Sequence, residues 1–479
     1  MDIRKILTEK FGYESFRPGQ EDVIRDVIAV KDTIAILPTG IGKSLCYQLP
    51  AFLLSGTVLI ISPLVALMED QVAIIKRNGE KRVVALNSFL SFKDKNRIIE
   101  NLGAYKFVFI SPEMLVQEHI MLKLKSINLS LIVIDEAHCI SQWGFDFRPD
   151  YLRIGEFLKQ VNRPNILALT ATAGKKVIED VIHYLQLDEP VIHRRSVDRP
   201  NITFSINKMN SHQEKTTWIK NQLQETTGPG IIYVSSRKRA DELSSYLLNE
   251  GFSIASYHAG MEQVDRAFIQ EQFISGEIHW ICATNAFGMG IHKNNIRQVI
   301  HEHLPSTIAG YMQEVGRAGR DGEQSVATLL YLPEDVGRTR FIIQGDMPNQ
   351  EEVRHYNELI TNKIPSDEAA LIVGISETAK RILDYYLERM KLEETIDYLE
   401  EIVQEKEMQL QQIVQIMQSN KCIREAILSH FGEEIIKKSQ NSCCSVCGLS
   451  LNDRLLNTDL QYTIRKPMLW KDRLLALLG

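Results

Sequence analysis

Six residues, Thr39-Gly40-Ile41-Gly42-Lys43-Ser44, and four more about ninety positions on, Asp135-Glu136-Ala137-His138, carry the groups needed to hold and split a magnesium-bound nucleoside triphosphate. Glycines let the backbone wrap a polyphosphate with its N–H groups turned inward. The Lys43 ammonium is a point charge for the β- and γ-phosphates, and the Ser44 hydroxyl can ligand magnesium. Asp135 closes the apolar run Leu131-Ile132-Val133-Ile134, so its carboxylate stands at a strand end, where it can hold the metal through water. Glu136 follows as the general base for the attacking water. Leu37 stands where G-x-x-x-x-G-K-[ST] has its first glycine, and a glycine-rich turn opening a helix would share the remaining residues. An expected strand before the loop (Thr33 to Leu37), an expected helix after it (Ser44 to Leu49) and the second motif favour the phosphate-binding reading.

Two further clusters have chemistry of their own. Gln313-Glu314-Val315-Gly316-Arg317-Ala318-Gly319-Arg320-Asp321-Gly322 places Gln313, Arg317 and Arg320 at i, i+4 and i+7, one face if the segment is helical. An arginine from a second domain that reaches the γ-phosphate raises the rate roughly 10³- to 10⁵-fold; arginines paired to surface acids are the plainer alternative. Cys422, Cys443, Cys444 and Cys447 suggest a tetrahedral zinc site, Cys444-x-x-Cys447 giving the close pair, against a metal-free hairpin. The remaining cysteines, Cys46, Cys139 and Cys282, read as small buried hydrophobes. Between Glu136 and Pro149, Trp143, Phe145 and Phe147 alternate beside Arg148, a pattern suited to base stacking plus a phosphate contact, or to ordinary core packing.

These residues need rigid elements under them. Apolar runs at Ile34 to Leu37, Val58 to Ser62, Val83 to Leu86, Phe107 to Ser111, Leu131 to Asp135 and Ile166 to Leu169 alternate with helical stretches, which predicts a parallel α/β sheet. The rhythm restarts after Arg199-Pro200-Asn201, with runs at Gly230 to Val234, Ser253 to Tyr257, His279 to Ala283 and Val299-Ile300. From about residue 350 to 430 the pattern turns helical, with Leu392 to Ile416 rich in Glu, Gln and Leu at three- and four-residue spacing. The expected division is an α/β domain over 1–205, a second over 206–345 and a helical region over 346–479, in which the segment Ile375-Ser376-Glu377-Thr378-Ala379-Lys380 could cap a helix of a small helix-turn-helix. The 479 residues carry 55 Lys and Arg against 61 Asp and Glu, a net charge of −6, so any nucleic-acid contact must come from local grooves. No apolar stretch has the length of a membrane span or signal peptide, which predicts a cytoplasmic chain without a membrane partner.

Taken in order, the motifs resemble the RecQ family of helicases: Phe11-Gly12-Tyr13, Phe16-Arg17-Pro18-Gly19-Gln20, Thr39 to Gln48, Ser62-Pro63-Leu64, Asp135 to Arg148, Leu169-Thr170-Ala171-Thr172-Ala173, Asp198-Arg199-Pro200-Asn201, Ala283 to Lys293 and Gln313 to Gly322. The resemblance covers roughly residues 5 to 340, with an echo at Cys422 to Cys447. It implies two RecA-like domains clamping ATP and Mg²⁺, movement 3′→5′ on single-stranded DNA, unwinding of partly duplex DNA in repair or recombination at the nucleoid, and single-strand-binding or repair proteins as partners. Tyr13, Arg17, Gln20, Thr39, Gly40, Gly42, Lys43 and Ser44 would then hold ATP, the Gln20 amide matching the N6/N7 edge of adenine and Tyr13 stacking on the ring. Lys43, Asp135, Glu136, Arg317 and Arg320 would be catalytic, with Arg320 the finger and Arg317 its support. Trp143, Phe145, Phe147, Arg148, Ser236 and Thr284 would bind DNA or couple it to hydrolysis. The chain departs from the family in having Phe145 where His is usual, Asn441 where C-x-x-C-x-x-C has its first cysteine, and a longer span between Arg320 and Cys422. The roughly thirty residues after Cys447 are too few for the winged-helix and terminal helical domains of many relatives. An RNA helicase of the DEAD/DEAH kind, and an ATP-gated DNA sensor that does not unwind, are the rival readings.

Overall fold

The computed structural model describes residues 2–87, 90–141, 148–226, 228–285, 287–288, 293–345, 347–434 and 443–448, apart from the side chain of Ala66. Trp143, Phe145, Phe147 and Asn441 lie outside these residues. The chain folds into two units, residues 1–197 with 342–408, and residues 198–341 with 409–479.

The first unit is built on seven parallel strands: β1 (Thr33–Ile36), β2 (Thr57–Ile61), β3 (Val83–Leu86), β4 (Phe107–Ile110), β5 (Leu129–Ile134), β6 (Ile166–Thr170) and β7 (Val191–Arg194). Their order is β3-β4-β2-β5-β6-β1-β7. Six match the expected apolar runs, because a parallel sheet covered by helices on both faces buries every residue of its central strands. β7 is the exception: it is an edge strand whose residues alternate between half-buried and exposed, so Val-Ile-His-Arg has no apolar run to mark it.

The second unit repeats the plan with β8 (Ile202–Lys208), β9 (Gly230–Tyr233), β10 (Ile254–Tyr257), β11 (Trp280–Ala283), β12 (Gln298–His301) and β13 (Ser325–Tyr331), again all parallel, in the order β10-β11-β9-β12-β13-β8. The anticipated border at 205/206 cuts through β8. That strand pairs with β13 over its full length, from Ile202 beside Ser325 to Lys208 beside Tyr331, so the second unit begins at Asp198.

The anticipated third region is divided between the two units. Helices Gln350–Thr361, Ser366–Val373, Glu377–Leu387 and the first part of Leu392–Gln418 pack on the first sheet's unit, where Tyr356, Leu383 and Leu399 share one apolar core with Ile34 and Ile132. Arg381 pairs with Asp150 at 2.7 Å, and Arg389, paired with Glu156, lies 4.0 Å over the Tyr385 ring. Ser376 caps its helix as anticipated, its hydroxyl accepting from the Ala379 N–H at 3.1 Å, three residues after Ser366–Val373 ends. Helix Ile423–His430 belongs to the second unit. Among the described residues no helix is long and apolar enough to cross a membrane.

Candidate active site

β1, β5 and β6 are neighbours in the order β5-β6-β1, so the residues that follow them meet at the carboxyl edge of the first sheet, where open α/β sheets bind ligands. After β1 the chain turns through Gly40 and Gly42, at φ 83° and 81°, a region that costs other residues roughly 1–2 kcal/mol. Lys43 and Ser44 lead into helix Leu45–Ala51, whose first backbone bond runs from the Leu45 N–H to the Gly42 carbonyl, so the preceding amides point out of the helix start toward an anion. Leu37 is fully buried at the base of the loop, where a Cβ on Gly19 would come within 3.2 Å of its side chain. Its role there is packing, which accounts for the glycine missing from the phosphate-loop pattern.

Gln20 is buried and bound to this loop. Its amide donates to the carbonyls of Ile41 (2.7 Å) and Gly42 (3.0 Å) and accepts from the Arg17 N–H (2.8 Å), while the Arg17 guanidinium donates to the Gly40 carbonyl. The amide expected to face adenine is therefore engaged with backbone in this structure. Tyr13 is 56% exposed nearby in the chain, as a stacking platform must be.

At the end of β5 the Asp135 N–H donates to the Ile61 carbonyl (2.9 Å) and its own carbonyl accepts from the Tyr151 hydroxyl (2.9 Å). Burial, with the neighbouring Glu136 charge, pushes the Asp135 carboxyl up to about 7, opposed by Lys43. A half-buried oxygen donor so placed suits a magnesium ion, which would restore its charged form. Glu136 has left-handed backbone, φ 48° and ψ 50°, an uncommon geometry for a side-chain-bearing residue that is enriched at active sites. Its carboxylate lies 3.5 Å from the Lys43 ammonium and 3.4 Å from His138 Nδ1. His138 Nδ1 is 2.9 Å from the Thr170 hydroxyl, whose proton goes to the Thr172 carbonyl at 3.0 Å. That leaves Nδ1 as the donor and fixes the His138 tautomer. A continuous polar path thus joins Glu136 to the Thr170-Ala171-Thr172 segment at the end of β6. Its His138 member drew no role from the sequence.

In the second unit, helix Ile308–Val315 ends before the arginines do, so Gln313, Arg317 and Arg320 do not share a helical face. Gly316 to Arg320 form a turn instead, in which Gly319 has φ 53° and is so closely approached by Asn201, Glu323 and Ser325 that no side chain fits. Arg317 is 5% exposed, its guanidinium donating to the Gly288 carbonyl, whereas Arg320 is half-buried. The turn is clamped from outside. Arg199 donates to the carbonyls of Gly316 (3.3 Å), Ala318 (3.1 Å) and Gly319 (2.6 Å), and the Asn201 amide donates to those of Gly319 (2.8 Å) and Glu323 (2.9 Å). The segment Asp198-Arg199-Pro200-Asn201, recognisable in the sequence but without a task there, is this clamp.

Of the anticipated DNA-contact residues, Arg148 donates to the Pro63 carbonyl (2.9 Å). Ser236 caps helix Arg237–Asn249, its hydroxyl accepting from the Arg239 N–H at 3.1 Å, and Thr284 follows β11, half-buried. The four cysteines converge: Cys422 Sγ lies 3.4 Å from Cys443 Sγ and 3.9 Å from Cys444 Sγ, and all four sulfurs fall within 4.8 Å of one another. Sulfurs at about 2.3 Å from a tetrahedral zinc are about 3.8 Å apart, so this set could hold zinc, adjacent cysteines included. His430 is exposed and takes no part in the cluster.

Residues 17–181 match the DEAD/DEAH box helicase family, 214–322 the helicase conserved C-terminal domain, and 384–448 the RecQ zinc-binding family. RecS of Bacillus subtilis, designated a probable ATP-dependent DNA helicase, is 43% identical over 94% of this chain and 92% of its own length. The chain belongs to the RecQ family of ATP-dependent DNA helicases. ATP-dependent DNA helicases designated RecQ, from Pasteurella multocida and Bacillus subtilis, are 40% and 38% identical over 69% and 74% of the chain, which spans 52% and 60% of their lengths. Among solved structures, DEAD-box helicase Mss116 bound to single-stranded RNA superposes with a TM-score of 0.61 at 19% identity over 89% of each chain. Mycobacterium smegmatis Lhr bound to single-stranded DNA gives 0.56 at 21%, over 71% of this chain and 49% of its own. At such identities these two speak for the fold alone: two RecA-like α/β domains.

Proposed function

We propose that this RecQ-family protein couples ATP hydrolysis to 3′→5′ movement on single-stranded DNA and to separation of partly duplex DNA, serving repair or recombination at the nucleoid alongside single-strand-binding or repair proteins. The observation that carries the hydrolytic part is the convergence of Lys43, Glu136, His138 and Thr170 on one sheet edge, with Lys43 and Glu136 3.5 Å apart. Lys43 and the amides at the helix start take the phosphates, and Tyr13, Arg17, Gln20 and Thr39 form the nucleoside side of the pocket. Ser44 and Asp135 would hold magnesium, whose contribution is to neutralise charge on the β- and γ-oxygens. On nucleotide binding Lys43 exchanges the Glu136 carboxylate for phosphate, and Glu136 is released to orient and deprotonate water. Arg320 is the arginine that meets charge developing on the γ-phosphate, and Arg317 holds its turn. Trp143, Phe145, Phe147 and Arg148, with Ser236 and Thr284, contact the strand, and the Glu136–His138–Thr170 path couples that contact to hydrolysis. Cys422, Cys443, Cys444 and Cys447 would hold one structural zinc ion.

Strand displacement on 3′-tailed, 5′-tailed and blunt DNA, with a 3′-tailed RNA control, tests the reading. ATP-dependent opening of the 3′-tailed DNA is expected. Opening of the 5′-tailed DNA would reverse the polarity, preference for RNA would make the protein an RNA helicase, and ATP turnover without opening would make it a DNA-gated sensor.

A further inference from the structure

The arginine turn is held from inside the unit as well as by Arg199. Glu314, in the last turn of helix Ile308–Val315, lies 2.8 Å from His301 Nε2, and the His301 side chain, at the end of β12, is wholly buried. The His301 ring stacks on Tyr233 (centroids 5.3 Å apart, planes at 24°) and packs against Tyr311 at 5.0 Å. Tyr233 in turn donates from its hydroxyl to the Phe287 carbonyl (2.7 Å), and the next residue, Gly288, accepts from Arg317. A side chain at Gly288 would stand 2.8 Å from the Arg317 guanidinium. These contacts close a ring: Glu314, His301, Tyr233, the Phe287-Gly288 backbone, Arg317, and back to Glu314, whose carbonyl accepts from the Arg317 N–H at 3.2 Å. Burial alone would push the Glu314 carboxyl up, but His301, His303 and Arg317 hold it below the ordinary carboxylate range, so it stays charged for the pair. On the outer side the half-buried Arg199 cation sits on three carbonyls beyond the helix C-terminus, where a positive charge is favoured.

We propose that Arg199 and the His301–Glu314 pair are positioning residues for ATP hydrolysis, an outer and an inner clamp that hold the Gly316–Arg320 turn in the geometry Arg320 needs at the γ-phosphate. The proposal rests on the arginine assignment made above. Neither clamp meets substrate. Both act through the turn, and small misplacements of a catalytic group are costly, about a hundredfold for roughly 1 Å.

The test measures DNA-stimulated ATP hydrolysis by the full chain carrying Arg199→Ala, Glu314→Gln or His301→Gln, each alone and combined with Arg320→Ala. Turnover is counted per folded molecule, at a temperature below each variant's melting transition. Each clamp variant is expected to lose about ten- to a hundredfold in kcat with KM for ATP changed less than about threefold. In the double variants, Arg320→Ala should cost at least about fivefold less than it does in the parent, because a misaimed arginine has less to lose. Parental kcat per folded molecule in all three variants, or losses that multiply fully with that of Arg320→Ala, would overturn the proposal and reduce the clamps to general stability. If instead Arg320→Ala and Arg317→Ala both keep parental turnover, the arginine assignment itself fails and the positioning role falls with it.

Discussion

Lys43 and Glu136 face each other at 3.5 Å, and in the proposed mechanism phosphate takes the place of the carboxylate at Lys43. Lys43→Ala is expected to abolish ATP turnover, measured by phosphate release. Gln20 separates two roles that the sequence alone cannot tell apart. Its amide braces the Ile41 and Gly42 carbonyls, and two such bonds are worth roughly 1–3 kcal/mol. Gln20→Ala should therefore weaken ATP and GTP alike, by about ten- to a hundredfold in equilibrium binding; weakening of ATP alone would assign the amide to adenine. The motif residues themselves were legible because polyphosphate chemistry demands glycines, a lysine and paired acids at fixed spacings. The tasks of His138, Arg199, Asn201 and Glu314 were not, although all four fall within the motifs, because these residues contact neighbouring side chains and carbonyls whose proximity no spacing in the sequence reveals.

The elements divide by how completely they are buried. β2, with all five residues inside, reads as an apolar run, whereas β7 and β8 are edge strands with polar residues at alternate or terminal positions. β8's outer edge is covered by the cysteine segment: the Phe204 N–H reaches the Cys443 carbonyl (3.4 Å) and the Ile206 N–H the Ser445 hydroxyl (3.2 Å). Helix Ile423–His430 is tied to the same strand by Arg424, which pairs with Asp198, donates to the Ile202 carbonyl and lies 5.1 Å over the Phe204 ring. Arg424 is 3% exposed, and removing one partner of a buried pair typically costs about 3–5 kcal/mol. Arg424→Ala should accordingly lower the stability of the second unit by about that amount in urea unfolding, with the first unit's transition unmoved. The zinc assignment makes a parallel demand on Cys444→Ser. Elemental analysis should find about one zinc per parent chain and a fraction of that in the variant, and the second unit should melt earlier. Metal-free parent protein with an unchanged profile in Cys444→Ser would identify a hairpin without metal.

At the scale of the molecule, the alternation of strands and helices made the two α/β domains legible, and the change of periodicity near residue 350 announced the helices. Their allegiance was hidden, since an amphipathic helix displays an apolar face without naming its partner. Tyr356, Leu383 and Leu399 complete the first unit's core, so a fragment ending at residue 345 should expose that face. It is expected to lack a cooperative melting transition that the full chain shows; a fragment as stable as the parent would restore the three-part division. In the proposed mechanism hydrolysis depends on Arg320, which belongs to a different unit from Lys43 and Glu136. Single-turnover ATP hydrolysis by Arg320→Ala, with single-stranded DNA and nucleotide both saturating, tests that dependence most directly. Nucleotide binding should match the parent while the hydrolysis rate falls at least about a hundredfold, a conservative form of the finger effect, and a rate near the parent's would contradict it.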